Sequence, residues 1–222
     1  TIQANNPDRY IRVPGVKVGS GDSGDENDES IDWFNPVLMP IPNPSPSIDY
    51  TRFHKALDYM YKEMKTNIQS GLALTMKSWW SFTPTKPAAL AMWAATVKGR
   101  SEWDHKRWDK LPKAANINVT NHDDLWFPIQ GDNQFEYYYD IWSNIHYGYV
   151  GSSIGFDAGT LQTGALIDDV LKWNLDPSDI ASIQLGIYLW ETYGNSLTKE
   201  ILQTMIWINR SYFNREPIRD GK

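Results

Sequence analysis

The sequence predicts a mainly helical fold, a single compact domain preceded by an extended acidic and proline-rich tail. Three observations lead to this prediction. Apolar residues beyond residue 47 recur mostly with the 3.6-residue period of helices. There is no internal repeat and no regular series of alternating strands. The first 46 residues have the composition of a linker rather than of a packed core. The 222 residues suffice for one ordinary domain plus a tail.

The tail is predicted to span residues 1–46, and the helical domain residues 47–222. Residues 15–31 are rich in glycine, serine and acids, which is typical of a flexible, self-repelling linker. Residues 36–46 hold five prolines at close spacing, which favours an extended, semi-rigid segment. The alternative is that the proline segment packs onto the domain.

The first predicted helix begins near Asp49 or Thr51, either of which can cap it, and continues to about Ser70. Four residues define its apolar stripe: Phe53, Leu57, Met60 and Met64. A second helix is predicted from about Pro87 to Lys98. Residues 100–134 carry turn signals without a clean period, and a short hairpin is an option within 117–128.

Residues 135–149 are predicted to form the central helix. Asp157 can cap another helix through about Lys172. Pro177 lies in the first turn of a further helix that stops at Gly194. The last predicted helix starts at Ser196 or Thr198 and ends before Pro217.

Composition narrows the classes of function. The net charge is −6, and the tail carries seven acids against three bases, so the domain is close to neutral and is a poor match for a phosphate backbone. The 11 Trp and 12 Tyr supply flat faces with polar tips, which suit a sugar polymer, although most such rings are core residues. There is no cysteine and no apolar run long enough to cross a bilayer. The start at Thr1 and two glycosylation sequons, at Asn118 and Asn209, suggest a processed, secreted protein.

The segment FEYYYDIWSNIHYGYVG, residues 135–151, is the predicted functional centre. As a helix, it places an apolar face against the core, formed by Tyr138, Ile141, Trp142, Ile145 and Tyr149. Its opposite face carries poor helix formers instead of the usual Lys, Glu and Arg, which indicates a binding cleft or a second buried interface. This opposite face consists of Glu136, Tyr139, Asp140, Ser143, Asn144, His146 and Tyr147.

Two carboxyl groups are the leading candidates for chemistry. Asn144 lies at i+4 from Asp140, so its amide is expected to hold Asp140 ionised and oriented. Glu63 lies at the margin of the apolar stripe of the first helix, four residues before Asn67, where lost hydration is expected to raise its pKa. The alternatives are that Glu63 is a surface acid paired with a lysine and that His146 is structural.

A third polar cluster is Trp103-Asp104-His105-Lys106. It matches no metal motif, and four histidines without cysteine make a zinc site improbable, so no metal and no cofactor are expected. The glycine-rich stretches 19–24 and 148–155 lack the lysine of a phosphate loop. No serine lies in a nucleophile elbow.

These residues carry a family resemblance. The blocks YKEMKTNIQS (61–70), WDHK (103–106), YYYDIWSNIHYGYVG (137–151), GF (155–156) and LGIYLWETYG (185–194) resemble the type-44 bacterial polymorphic toxin domain and its fungal secreted relatives. The similarity spans roughly 55–205, and the block 137–151 is its most specific part.

The resemblance implies a mostly helical catalytic domain, for which a lysozyme-like arrangement is one candidate. The bacterial domain is labelled a nuclease toxin, whereas some similar fungal proteins, linked to SH3-like cell-wall-binding modules, are muramidases. The tail fits the fungal architecture with the binding module missing. Carried over residue by residue, the resemblance singles out Glu63, Asp104, Asp140, Asn144 and His146.

The first functional hypothesis is a secreted, monomeric muramidase that hydrolyses the β-1,4 bond between N-acetylmuramic acid and N-acetylglucosamine in peptidoglycan. Glycosidic cleavage usually needs two carboxyls, here Glu63 as general acid and Asp140 as base or transition-state stabiliser. Nucleic acid and membrane are not expected as partners. Two sets of side chains complete the expected site: Tyr139, Asn144, His146, Asp104, Tyr147 and Asn67 to position the sugar, and Trp79, Trp80 and Trp103 to stack on it.

Three alternatives stay open. One is a ribonuclease toxin that uses His146 and His105 as acid and base, with Lys106 on the phosphate. Another is a carbohydrate-binding module, which needs the aromatic residues but not both carboxyls. The last is attack on a lipid-linked cell-wall precursor.

Overall fold

Eight α-helices and one small antiparallel sheet make up the part of the chain that the computed structural model describes, residues 41–170 and 177–218. The predicted mainly helical fold is confirmed. The tail prediction falls mostly on residues 1–40, which lie outside the described residues. In chain order the elements are α1 (Thr51–Asn67), α2 (Gly71–Trp80), α3 (Lys86–Val97), α4 (Leu111–Ala115), β1 (Trp126–Pro128), β2 (Phe135–Tyr138), α5 (Ile141–Ile154), α6 (Ala158–Val170), α7 (Pro177–Tyr193), α8 (Lys199–Asn209) and β3 (Arg215–Pro217).

The end of the proline segment touches the domain. The side chains of Ile41 and Trp207 both pack around Gly131, where a methyl group in place of the glycine hydrogen would lie within 2.8 Å of either side chain. The tail–domain boundary at residue 47 stays a prediction, and so does the lysozyme-like arrangement.

Helix α1 forms as its apolar spacing predicts. Phe53, Leu57, Met60 and Met64 are all buried, because the spacing of three and four residues puts them on one face. The carboxylate of Asp49 accepts a hydrogen bond from the backbone N–H of Thr51 at 2.8 Å, in the first turn where N–H groups lack helical partners.

Helix α5 lies at the centre of the fold. Most of its residues are buried, because apolar and small residues extend around much of its circumference. Helix α7 runs parallel to it, since successive contacts pair Asn144 with Asp179 and Tyr149 with Trp190 in the same order along both helices.

Two glycines set the separation of these parallel helices. A Cβ atom on Gly148 would lie 2.1 Å from the carbonyl oxygen of Ile183, and one on Gly186 would lie 2.1 Å from that of Ile145. Backbone therefore packs directly on backbone, and no larger residue fits either position without moving a helix.

The sheet has the order β1-β2-β3 and joins distant parts of the chain. Phe127 of β1 pairs with Tyr137 of β2, which pairs with Arg215 of β3. Asp132, in the turn between β1 and β2, is buried and accepts hydrogen bonds from the Tyr137 hydroxyl at 2.5 Å and from Arg210 Nε at 3.0 Å. This anchor fixes the strand that leads into α5.

The prediction of one helix over 135–149 was wrong in its first part. Residues 135–138 form β2, and the helix begins only at Ile141. The aromatic run favours a strand, and pairing with β1 and with the remote β3 decides the outcome. The hairpin considered within 117–128 was wrong in position, because only β1 falls in that range and its partner β2 follows at Phe135–Tyr138.

Other boundaries also differ from the prediction. Helix α2 and the short α4 were not predicted, and the chain after α8 enters β3 instead of continuing as a helix. The start of α7 at Pro177, its end before Gly194 and the caps by Asp157 and Thr198 are confirmed. None of the described helices has both the length and the apolar character needed to cross a membrane.

Candidate functional site

Asp140 occupies the corner between β2 and α5. It is the residue that immediately precedes the first turn of α5, and its side chain is 15% exposed. Because α5 and α7 are parallel, Asp179 in the first turn of α7 lies at the same end of the helix pair. The N-terminal ends of two helices, which favour negative charge, therefore meet where these two carboxylates lie.

Asn144 connects the two helices at this end. Its amide Nδ2 lies 2.5 Å from Asp179 Oδ1, whereas its backbone N–H donates to the Asp140 carbonyl oxygen at 3.2 Å. The prediction that the Asn144 amide binds the Asp140 carboxylate was wrong. Asp140 lies between β2 and α5, and the amide points toward α7.

Lys106 is the cationic partner of Asp140. Its Nζ lies 3.4 Å from Asp140 Oδ2, and its side chain is 41% exposed. Asp104 holds the loop that carries Lys106, since its carboxylate accepts the backbone N–H groups of Arg100 at 2.7 Å and of Lys106 at 3.1 Å. In these contacts Asp104 acts on the shape of the loop.

Two tyrosines border this corner. Tyr138 is half-buried at the end of β2, and burial, followed by the charge of Asp140, raises its pKa, while Lys106 acts in the opposite direction and Asp179 adds to the rise. Burial, with Tyr138 and Asp140 behind it, raises the pKa of Tyr139 to about 12. Both hydroxyls therefore stay protonated at neutral pH and are available as hydrogen-bond donors.

A buried histidine pair lies behind the corner. His105 and His146 are 0% and 1% exposed, and their ring centroids are 4.2 Å apart. Asn67 Nδ2 lies 2.9 Å from His146 Nε2 and 3.5 Å from Glu63 Oε2, so α1 reaches α5 through this amide. Tyr59 shares a hydrogen bond with His105 Nδ1 at 3.3 Å.

This pair is held neutral. Burial first, and the nearby positive charge of Lys110 second, lower the pKa of His105 to about 3. Burial, followed by His105, also lowers the pKa of His146 well below its ordinary value. Nε2 of His105 is buried and, within the described part of the chain, has no hydrogen-bond partner.

The expected sugar contacts of Trp103 and Tyr147 need correction. Trp103 is 4% exposed and packs edge-on against Trp93 and His146, so its ring offers no open face. The ring of Tyr147 packs on Trp93, and its hydroxyl donates to the carbonyl oxygen of Leu161 at 3.1 Å. Trp103 thus packs against the central helix from inside, and the half-buried Tyr147 links that helix to α6.

The predicted site residues fall into two groups. Asp140, Asn144 and Tyr139 lie at the corner with Lys106. Behind it, the half-buried Glu63 contacts Asn67, which is buried against His146. Loop 103–106 joins the groups, because His105 belongs to one and Lys106 to the other.

Sequence reasoning missed Asp179 and Tyr138 as members of the corner. Asp179 was visible only as part of a helix start, and Tyr138 was assigned to a core face by helical phasing that does not apply to a strand. Among the side chains that the structure describes, those of residues 41–164 and 177–218, no three of His, Asp or Glu lie together as a metal site would need.

The comparison with protein families gives one match. Residues 92–192, a little less than half of the chain, match the family model described as bacterial toxin 44. The match contains Lys106, Asp140, Asn144 and Asp179, but Glu63 precedes it. Neither the curated proteins nor the solved structures contain a match to this chain.

Proposed function

We propose that this chain is a hydrolytic toxin that cleaves the glycan strand of peptidoglycan, with Asp140 and Asp179 as its carboxylate pair. The observation that carries the proposal is the placement of these two residues at the N-terminal ends of parallel helices, where Asn144 binds the Asp179 carboxylate through its amide and the Asp140 carbonyl oxygen through its backbone N–H. The match to bacterial toxin 44 over the same residues supports the toxin part.

The spacing suits glycoside hydrolysis. Residues one helical turn apart have Cβ atoms about 5–6 Å apart, so Asp140 and the Asn144 amide that binds Asp179 lie within the reach of one sugar ring. Glycosidases place their two carboxyls about 5–9.5 Å apart, according to whether water or the enzyme attacks. The proposal requires the Asp140 and Asp179 carboxyls to lie within this range.

The two carboxylates have different neighbours, which suits different roles. Lys106 faces Asp140 and favours its ionised form, as a base or a stabiliser of an oxocarbenium-like transition state needs. Asp179 is then the proton donor to the leaving oxygen. Because the Asn144 amide and the start of α7 favour its ionised form, it must take up this proton from solvent as the bound sugar excludes water from the corner. The hydroxyls of Tyr138 and Tyr139 are donors for the sugar.

Glu63 enters the proposal as the alternative partner of Asp140. Its contact with Asn67 directs it toward the buried histidines, so we infer that it supports the site through His146. The test below separates the two assignments.

The buried histidines argue against the ribonuclease alternative. A ribonuclease of this kind needs one histidine to take a proton and another to give one at the substrate. His105 and His146 are inaccessible, and their lowered pKa values keep both neutral at physiological pH. Two carboxylates at the accessible corner also repel a phosphate backbone.

The test is to incubate the full chain with purified peptidoglycan and to identify the released fragments by mass spectrometry, with RNA in a parallel reaction. We expect reducing muropeptides from the wild type and a loss of about 10²–10⁴-fold in rate for Asp140→Asn and Asp179→Asn. Asp58→Asn, which changes an exposed carboxylate paired with Lys199, is the matched control and retains activity.

Three outcomes decide between the readings. Intact glycan with cleaved RNA overturns the proposal. Full loss in Glu63→Gln with full activity in Asp179→Asn makes Glu63 the partner of Asp140. Wild-type rates in Asp140→Asn remove the corner from the mechanism.

A further inference from the structure

Trp108 stands out on the surface near the carboxylate corner. It is 70% exposed, more than any other large apolar residue within 41–164 and 177–218, where side chains are described. A solvated indole gives up the hydrophobic stabilisation that burial of a large ring provides. An exposed ring at this position indicates a role in binding rather than in core packing.

Hydrogen bonds close the turn that carries Trp108. Arg107 binds Asp109 through two contacts, Nε to Oδ1 at 2.5 Å and the second guanidinium nitrogen to Oδ2 at 3.0 Å. The backbone N–H of Lys110 donates to the Arg107 carbonyl oxygen at 2.9 Å and closes the turn around Trp108. A ring presented on a fixed turn loses little conformational entropy when a ligand binds.

The same loop reaches the carboxylate corner. Lys106, which faces Asp140, precedes Trp108 by two residues, so the two Cα atoms are at most about 7 Å apart. The backbone of Trp108 therefore lies close to that of Lys106, whose side chain reaches the corner.

We propose that Trp108 is the platform of a glycan subsite, on which a sugar ring of the strand stacks at a distance from the cleaved bond. The inference rests on the proposed function and adds a substrate-binding residue to it. A flat ring surrounded by hydrogen-bonding groups suits the apolar face and polar edge of an N-acetylated sugar.

The surroundings favour a sugar over a phosphate or an apolar partner. Arg107 is paired with Asp109, and Lys110 lies 3.8 Å from Glu102, so the rim of the platform carries both signs of charge. Such a rim provides donors and acceptors without the net positive charge that nucleic acid binding uses.

The test compares Trp108→Ala with Trp108→Tyr, which keeps an aromatic ring, in the full chain. With purified peptidoglycan we expect Trp108→Ala to raise KM about tenfold while kcat stays unchanged, and Trp108→Tyr to restore most of the affinity. Phe82→Ala is the control, since Phe82 is 62% exposed on the connection between α2 and α3.

A second measurement uses binding alone. Calorimetry with a hexamer of N-acetylglucosamine, in the Asp140→Asn background, should give about tenfold weaker binding for Trp108→Ala, and a dimer should give no difference between the variants. This binding measurement does not depend on the release of muropeptides. It therefore tests the role of Trp108 separately from the proposed hydrolysis.

Each remaining outcome overturns the inference. An unchanged KM and unchanged hexamer binding in Trp108→Ala remove the platform while the hydrolase stands. A fall in kcat at unchanged KM makes Trp108 part of the chemistry instead. Lost binding of single-stranded RNA, with glycan binding retained, makes it a base-stacking residue.

Discussion

Asn144 donates its side-chain amide to Asp179 across two helices, at 2.5 Å, and not to Asp140 on its own helix. This bond joins the starts of α5 and α7 and brings a carboxylate that sequence periodicity did not select to the same corner as Asp140. Three predictions concern this bond, the helix packing behind it and the histidines beneath it.

The first prediction is that Asn144→Asp destabilises the corner by about 1–3 kcal/mol. The substitution replaces a donor with a second acceptor facing Asp179, so a hydrogen bond is lost and two like charges meet. Urea unfolding at pH 7.5 measures the change in the free energy of unfolding.

A charge swap provides the control for this bond. The double variant Asn144→Asp with Asp179→Asn restores one donor and one acceptor, so it should recover most of the lost stability. Equal stability of the single and double variants would show that the two side chains do not interact.

The second prediction concerns the parallel helices α5 and α7. Gly148→Ala should cost at least about 3 kcal/mol, because its Cβ would lie 2.1 Å from the backbone oxygen of Ile183, which has no rotamer to relieve the clash. Thermal and urea unfolding measure the loss.

Gly71→Ala is the matched control for the glycine test. Gly71 is the first residue of α2, and a methyl group added there would have no heavy atom within 4 Å outside its own helix and chain neighbours, so the variant should be more stable by up to about 1 kcal/mol. Wild-type stability in Gly148→Ala would contradict the close approach of the helices.

The third prediction is that the domain loses stability as the pH falls below about 6.5. In the folded protein the pKa of His105 is lowered to about 3, and the pKa of His146 is lowered as well. Below pH 6.5 the unfolded chain therefore binds protons at these histidines that the folded chain does not bind. Their stabilisation is therefore complete above the unfolded value of 6.5 and is lost toward acid. For each of the two histidines, the free energy of unfolding should fall by about 2 kcal/mol between pH 7.5 and pH 5.

His146→Gln should flatten this pH dependence, whereas His122→Gln, which changes an exposed histidine, should leave it unchanged. An NMR titration of the wild type gives an independent reading, with both buried imidazoles neutral at pH 5. Protonation of either imidazole near pH 6.5 in the folded protein would sink the prediction.

Local signals in the sequence predicted much of the helical framework. The apolar spacing of α1, the proline at the start of α7, and the caps at Asp157 and Thr198 depend on residues within one or two turns, so they could be predicted without the tertiary fold. The choice of Asp140 as a site candidate also came from its own segment.

Contacts between distant residues could not be predicted in this way. Residues 135–138 became a strand because β3, some 80 residues further along, pairs with them. Asp179 joined Asp140 because Gly148 and Gly186 let two parallel helices approach closely enough for an amide to cross between them.

The sequence by itself determined a mainly helical domain with a polar, aromatic segment at its centre, since periodicity and capping act over short distances. Only the tertiary structure decided which polar groups of that segment face each other. It buried His146 against His105, left Trp108 exposed beside Lys106, and placed Asp179 next to Asn144. The physical reason is that burial and helix packing are set by residues far apart in the chain, which a local pattern does not contain.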